Sequence, residues 1–312
     1  MAVIQKTLTP IDGSIYVERP LASWTEVASG LARARKAQAE WKHVSVAERQ
    51  KILSRAVDAF VAKKDTVAEE ITRQIGRPLS QSPGEVRGFE ERARYMIEIA
   101  ASTLADIDVG PKPGFTRFIR REPLGVVFVI APWNFPYLTS VNAVVPALMA
   151  GNAVILKHSA QTPLCAERFA EAFAAAGLPE GLFQFFHLSH DDTSKLIGTD
   201  GIDYVAFTGS VAGGHAVTKA ASDRFIGLGL ELGGNDPAYV RPDANLDHAV
   251  ENLVDGAYFN SGQSCCGIQR IYVHADVYDR FRDGFVALTK KYSLGNPLES
   301  GTNLGPVVRA RA

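Results

Sequence analysis

Two stretches of the chain carry the residue types needed for nucleophilic chemistry. Glu231-Leu232-Gly233-Gly234-Asn235-Asp236-Pro237 sets a carboxylate before two glycines, and Gly262-Gln263-Ser264-Cys265-Cys266-Gly267 sets two neighbouring thiols between glycines. A thiol is a strong nucleophile only as thiolate, so it needs a partly open setting that is electropositive or served by a base. A carboxylate becomes a useful base at neutral pH when burial raises its pKa. Leu230 and Leu232 predict such partial burial for Glu231. On residue type alone, Cys265 and Cys266 are equal candidates for the nucleophile. Cys165 lies on an apolar helical stripe with Phe169, Ala172, Phe173 and Ala176 and reads as an inert core thiol.

Side chains of this kind must be held by rigid elements. From about Trp24 to Ala105 the pattern is helical, with Ile52, Ala56, Ala59 and Phe60 on one face and a break at Gly76-Arg77-Pro78. Residues 1–22 read as short and turn-rich, and residues 116–123 as an extended charged segment after the firm break at 110–114. From Gly125 onward, apolar runs alternate with helical segments. Strands are predicted at 125–131, 152–157, 182–187, 204–208 and 226–232, then at 237–240 and 270–273. Such alternation implies βαβ units and a parallel sheet, whose ligands bind beyond the carboxyl ends of the strands. Trp133-Asn134, Lys157-His158-Ser159, Gly209-Ser210 and Glu231-Leu232 all follow predicted strands, so they converge on one crevice. The glycines from Gly209 to Gly214 mark a strand-to-helix turn that suits a phosphate or nicotinamide, although they do not form the dinucleotide fingerprint.

Composition excludes several alternatives. The 312 residues are 46% hydrophobic and 21% charged with a formal net charge of -1, which gives no bulk attraction to nucleic acid or an acidic membrane. The basic run Arg117-Phe118-Ile119-Arg120-Arg121 reads as a solvated strand or arm. Three cysteines, two of them adjacent, make no disulfide framework and point to a reducing, cytoplasmic setting. The first residues hold no apolar signal core, and no apolar run is long enough to cross a bilayer. His187-Leu188-Ser189-His190 lacks the partners of a zinc site, so no metal is expected, and the absence of a G-x-S-x-G elbow argues against a serine hydrolase.

Taken together, Pro132-Trp133-Asn134-Phe135-Pro136, Leu156-Lys157, Phe207-Thr208-Gly209-Ser210, Glu231-Leu232-Gly233-Gly234 and Gly262-Gln263-Ser264-Cys265 resemble the NAD(P)-dependent aldehyde dehydrogenase superfamily, in order and in spacing. The resemblance runs from about residue 10 to the end. It implies a Rossmann-like parallel-sheet cofactor domain within residues 1–232, preceded by a helical segment and carrying an extended arm at about 107–124. An incomplete α/β catalytic domain over residues 233–312 follows. It also implies that Cys265, not Cys266, is the nucleophile, Glu231 the general base and Asn134 the oxyanion donor. Trp133, Lys157, Ser159, Ala160, Gly209, Ser210, Gly214 and Leu232 then lie against NAD or NADP, with Gly214 opening the helix after its strand. The implied reaction is oxidation of a small-molecule aldehyde to an acid through a Cys265 thioester.

The sequence departs from the family pattern in two places. NAD-preferring members often carry a glutamate three residues after the lysine, where Ala160 stands here, and proline is common where His158 stands. Without that carboxylate nothing repels a 2′-phosphate, so NADP use is expected. Full-length members also continue past this point, with a Glu-x-Phe-Gly-Pro motif absent here and a strand that builds dimers or tetramers. The expectation is a chain that alone is poorly active and exposes apolar surface. The rival readings are a truncated chain that only binds nucleotide or a partner, and a relative that reduces acyl phosphates or acyl-CoA. Glu231 speaks against the latter, because a water-activating base favours thioester hydrolysis.

Overall fold

A computed structural model describes residues 3–310. The chain opens with a hairpin, β1 (Ile4–Leu8) and β2 (Ile15–Pro20), where the sequence reads as turns. Both strands are mostly polar and exposed, which hides their alternation. Four helices follow: α1 (Trp24–Trp41), α2 (Val46–Val61), α3 (Lys64–Ile75) and α4 (Pro83–Thr103). Ser23 and Glu26 form a reciprocal capping box at the start of α1. Gly76 ends α3 in the left-handed region at φ 78°, and a Cβ there would meet the Pro306 carbonyl oxygen at 2.6 Å. The break at 76–78 is therefore a turn clamped against the end of the chain. The predicted arm is a short antiparallel ladder of β3 (Ile107–Asp108) and β4 (Phe118–Ile119), with Arg120 paired to Asp106 in solvent.

The α/β core comprises β5 (Val126–Ala131), α5 (Pro136–Met149), β6 (Ala153–His158), α6 (Pro163–Ala175), β7 (Phe183–Phe185), α7 (His190–Ile197), β8 (Tyr204–Thr208), α8 (Val211–Ala220) and β9 (Gly227–Glu231). Its five parallel strands lie in the order β7-β6-β5-β8-β9. Every residue of β5 and β6 is buried, as continuous apolar runs in a sheet covered on both faces require. The chain moves outward from β5 to β7, then returns to β8 on the other side of β5. That reversal opens a crevice between the carboxyl ends of β5 and β8.

The helical layer is tied to this core through buried polar contacts. Trp41 Nε1 donates to the Leu148 carbonyl at 2.9 Å, and Arg49 Nη1 to the Met149 carbonyl at 2.8 Å, which anchors the end of α5. Phe60, Phe89, Tyr137 and Phe169 pack together between the layers. Cys165 is fully buried, and burial pushes its thiol well above the ordinary range, in keeping with an inert core residue.

Beyond Gly234, β10 (Asp236–Val240), α9 (Leu246–Tyr258), β11 (Ile268–Val273) and α10 (Tyr278–Thr289) form a separate unit. β10 and β11 make a two-stranded parallel sheet, and the core of this unit is small: Val240, Val277 and Phe281. Among the described residues no helix is long and apolar enough to cross a membrane.

Candidate active site

Asn134 follows β5, and Gly209-Ser210 follow β8, so the two flank the crevice where strand order reverses. Ser210, rather than Gly214, caps α8: its Oγ accepts from the Gly213 N–H at 3.1 Å. Gly214 lies one turn inside that helix, and a Cβ there would meet Leu232 Cδ2 at 2.8 Å. Leu232 is thereby held beside the helix start. The Glu231-Leu232-Gly233-Gly234 stretch leaves β9 and runs next to the cysteine loop. A side chain at Gly234 would collide with the Cys265 carbonyl oxygen.

Cys265 borders two clefts. One, of about 470 Å³, is lined by Glu231, Cys265 and Cys266 together with Arg92, Leu138 and Asn142. The other, of about 400 Å³, is lined by Trp133, Asn134, Gly209, Ser210, Leu232 and Cys265. Cys266 borders only the first, which separates two thiols that residue type alone leaves equal. Cys265 is exposed, as a reacting thiol must be. Partial burial, then the neighbouring Cys266, push its thiol above the ordinary range. Thiol rather than thiolate is therefore favoured at neutral pH. Glu231 corrects an expectation: it is exposed at the end of a half-exposed edge strand, and Leu230 beside it is 38% exposed, so partial burial is not found.

Asn134 is held on both sides of its peptide. Its Nδ2 donates to the Gln263 carbonyl at 3.2 Å, while its own carbonyl accepts from Arg77 Nη2 at 2.6 Å and Asn260 Nδ2 at 3.1 Å. The amide therefore stands two residues from Cys265 along the loop. An Asn side chain carries two N–H donors, and one of them is engaged here.

Lys157, Ser159 and Ala160 lie at the carboxyl end of β6 and are not among the residues lining either cleft. Lys157 is 7% exposed, and burial alone pushes its ammonium down, with no carboxylate opposing that effect. The loop after it is fixed to the hairpin: Thr7 Oγ1 donates to the Ala160 carbonyl at 2.7 Å, and Gln161 Nε2 to the Leu8 carbonyl at 2.9 Å.

His158 locks this loop to α5. Its Nδ1 accepts from the Ser159 N–H at 3.0 Å, so Nε2 carries the proton and donates to the Pro136 carbonyl at 3.1 Å. This assignment follows from the hydrogen-bond pattern. Burial, with the charge of Lys157 adding to it, lowers the His158 pKa from 6.5 to about 4. The folded state thus keeps the ring neutral, and its contribution to stability is full above pH 6.5 and is lost as pH falls toward 4. The loss should reach roughly 3 kcal/mol. Urea unfolding of wild type and His158→Leu across this window should show the steeper decline in wild type. Parallel curves would remove the assignment.

With this geometry in place, comparison with known proteins is informative. The family model described as the aldehyde dehydrogenase family matches residues 3–312. Succinate-semialdehyde dehydrogenase [NADP(+)] 1 of Mycobacterium tuberculosis is 35% identical over 303 residues, which cover 96% of this chain and 66% of that protein. The 3,6-anhydro-alpha-L-galactose dehydrogenase of Streptomyces coelicolor is 36% identical over 309 residues, covering 97% and 62%. The chain thus spans just under two thirds of the length of these relatives. The crystal structure of succinic semialdehyde dehydrogenase from Streptococcus pyogenes in complex with NADP+ superposes with a TM-score of 0.93 at 26% identity, covering 98% of this chain and 68% of that one.

Proposed function

Because this chain belongs to the aldehyde dehydrogenase family, we propose that it oxidises an aldehyde to the carboxylic acid with NADP+ or NAD+. The observation that carries this reading is the place of Cys265 on the wall shared by two clefts, one bordered by Glu231 and the other by Asn134. The aldehyde enters the cleft of Glu231, and Cys265, having lost its thiol proton to solvent water, attacks the carbonyl carbon as thiolate. The carbonyl π electrons move to oxygen. The free N–H of the Asn134 amide and the backbone N–H of Cys265 donate to that oxyanion. A nicotinamide held in the Asn134 cleft would supply the hydride acceptor for this oxidation. A thioester on Cys265 remains, and Glu231 removes a proton from the water that attacks it, freeing the acid and the thiol.

The residues present fit such a cofactor. Lys157 is a buried cation without an opposing carboxylate, suited to a ribose hydroxyl or phosphate. α8 points its N-terminus, capped by Ser210, at the crevice, and helix N-termini favour anions. Gly233, on the wall of the Asn134 cleft, has nothing within 4 Å of its would-be Cβ, which leaves room for a flat ring. Trp133, Gly209 and Leu232 complete that wall, and Ser159, Ala160 and Gly214 are assigned to the cofactor by the family resemblance. Ala160 sets no negative charge against a 2′-phosphate, which agrees with the NADP(+) in the name of the mycobacterial relative. Arg92 on the aldehyde side is a cation suited to a substrate that carries its own carboxylate, as a semialdehyde does.

Formation of reduced nicotinamide with a panel of aldehydes tests the reading. Succinic semialdehyde with NADP+ should exceed an uncharged aldehyde of equal length. Ala160→Glu should lower the preference for NADP+ over NAD+ by at least about tenfold, through repulsion between like charges. No aldehyde-dependent reduction of either cofactor would end the proposal.

A further inference from the structure

One buried polar network has no part in the chemistry above, yet it joins both halves of the site. Arg77 and Glu85 form an ion pair at 2.6 Å, with both side chains almost fully buried. Glu85 Oε1 accepts the N–H groups of Tyr137 and Leu138, each at 2.9 Å, and so caps the helix that begins just after Asn134. Arg77 Nη2 donates to the Asn134 carbonyl at 2.6 Å, and its Nε donates to Asn260 Oδ1 at 3.0 Å. Its guanidinium lies 4.8 Å from the Phe135 ring centre and 5.9 Å from that of Phe259. Asn260 continues the chain of contacts, with Nδ2 donating to the Asn134 carbonyl at 3.1 Å and to the Gln263 carbonyl at 3.2 Å.

The backbone at Asn260 is unusual as well. Among the described residues, Asn260 (φ 53°) and Ser261 (φ 58°) are the only non-glycine positions in the left-handed region, and Gly262 (φ 74°) follows them. Three consecutive left-handed residues turn the chain sharply just before Gln263 and Cys265. Such a conformation persists only where its surroundings over-determine it. The fully buried Asn260 side chain, with all of its polar atoms engaged, provides that restraint.

We propose that Asn260, fixed by the buried Arg77–Glu85 pair, is the positioning residue that sets the Cys265 loop against the Asn134 amide. Each of its side-chain hydrogen bonds lies on one of those two segments or on the arginine that holds them. The inference rests on the reading of Asn134 as oxyanion donor. Asn260→Gly tolerates the left-handed backbone and deletes only the side-chain bonds. Arg77→Lys keeps the charge opposite Glu85 and loses the fork to Asn260 and Asn134.

The test uses the full chain, with single-turnover formation of NADPH from succinic semialdehyde in wild type, Asn134→Ala, Asn260→Gly, Arg77→Lys and the Asn134→Ala/Asn260→Gly double variant. Asn260→Gly should be slower by about 100-fold, the usual effect of a misplaced reacting group, with unchanged affinity for NADP+. The double variant should be no slower than Asn134→Ala alone, because the two act as one unit. Full additivity, a wild-type rate in Asn260→Gly, or loss of the fold in both Asn260→Gly and Arg77→Lys would each overturn the inference. A wild-type rate in Asn134→Ala would instead refute the oxyanion reading beneath it.

Discussion

On the proposed reading, Cys265→Ala should abolish aldehyde oxidation, with a loss on the order of 10⁶-fold, as when a hydrolase loses its nucleophile. Cys266→Ala loses far less, because only Cys265 borders both clefts. The comparison matters because the two thiols are adjacent and both are exposed. A pH measurement distinguishes their roles further. The Cys265 thiol is raised above its ordinary value of 9.0 by burial and by its neighbour, so thiolate is a minor species at neutral pH. Alkylation of Cys265 by iodoacetamide, followed by peptide mass spectrometry, should keep rising with pH without levelling below pH 9. A plateau near neutrality would mean that an electropositive group lowers the thiol pKa, against the direction given above.

Glu231→Gln separates the two halves of the reaction. The amide cannot take a proton from water, so the thioester on Cys265 persists. A burst of reduced nicotinamide, one per active thiol, should appear and then stall. Steady-state turnover should fall by roughly 10²–10⁴-fold, the range for a lost general base. Mass spectrometry should find the acyl group on Cys265. If the burst itself is lost to the same extent as turnover, Glu231 assists thiol attack, and its role as the base for deacylation is wrong. The exposure of Glu231 suits the deacylating role, since its carboxylate, as the proton acceptor, must reach water.

Much of this site is legible in the sequence because of where its residues fall. Strands buried on both faces are continuous apolar runs, and the run from Val126 to Ala131 announces itself. Polar residues directly after such runs then have to lie at one edge of the sheet, which places Asn134, Gly209 and Glu231 together. Other features leave no such trace. The hairpin at residues 4–20 is polar and exposed, so its period-two pattern is faint. The ends of α1 and α2, at Lys42 and Ala62, carry neither glycine nor proline, and one long helical pattern hides three helices there. Glu231 lies between two leucines, yet neither covers it, because an edge strand has a neighbour on one side only. The network of Arg77, Glu85 and Asn260 is hidden for a different reason. Arg77 and Glu85 are near neighbours in the chain, but Asn260 lies 183 residues from Arg77, and only the fold brings the arginine to the loop.

The shared wall at Cys265 has a bearing on how such a protein can diversify. Arg92, Leu138 and Asn142 shape one side of the thiol, while Trp133, Gly209 and Ser210 shape the other. Few residues belong to both. On the proposed reading, substitutions at Arg92, Leu138 or Asn142 should alter the aldehyde side and leave the lining of the other cleft intact, whereas Thr139, Thr208 and Leu232 line both. If the proposed roles hold, substrate range and coenzyme choice should drift largely separately under selection, while Cys265 and the other residues shared by the two clefts stay fixed.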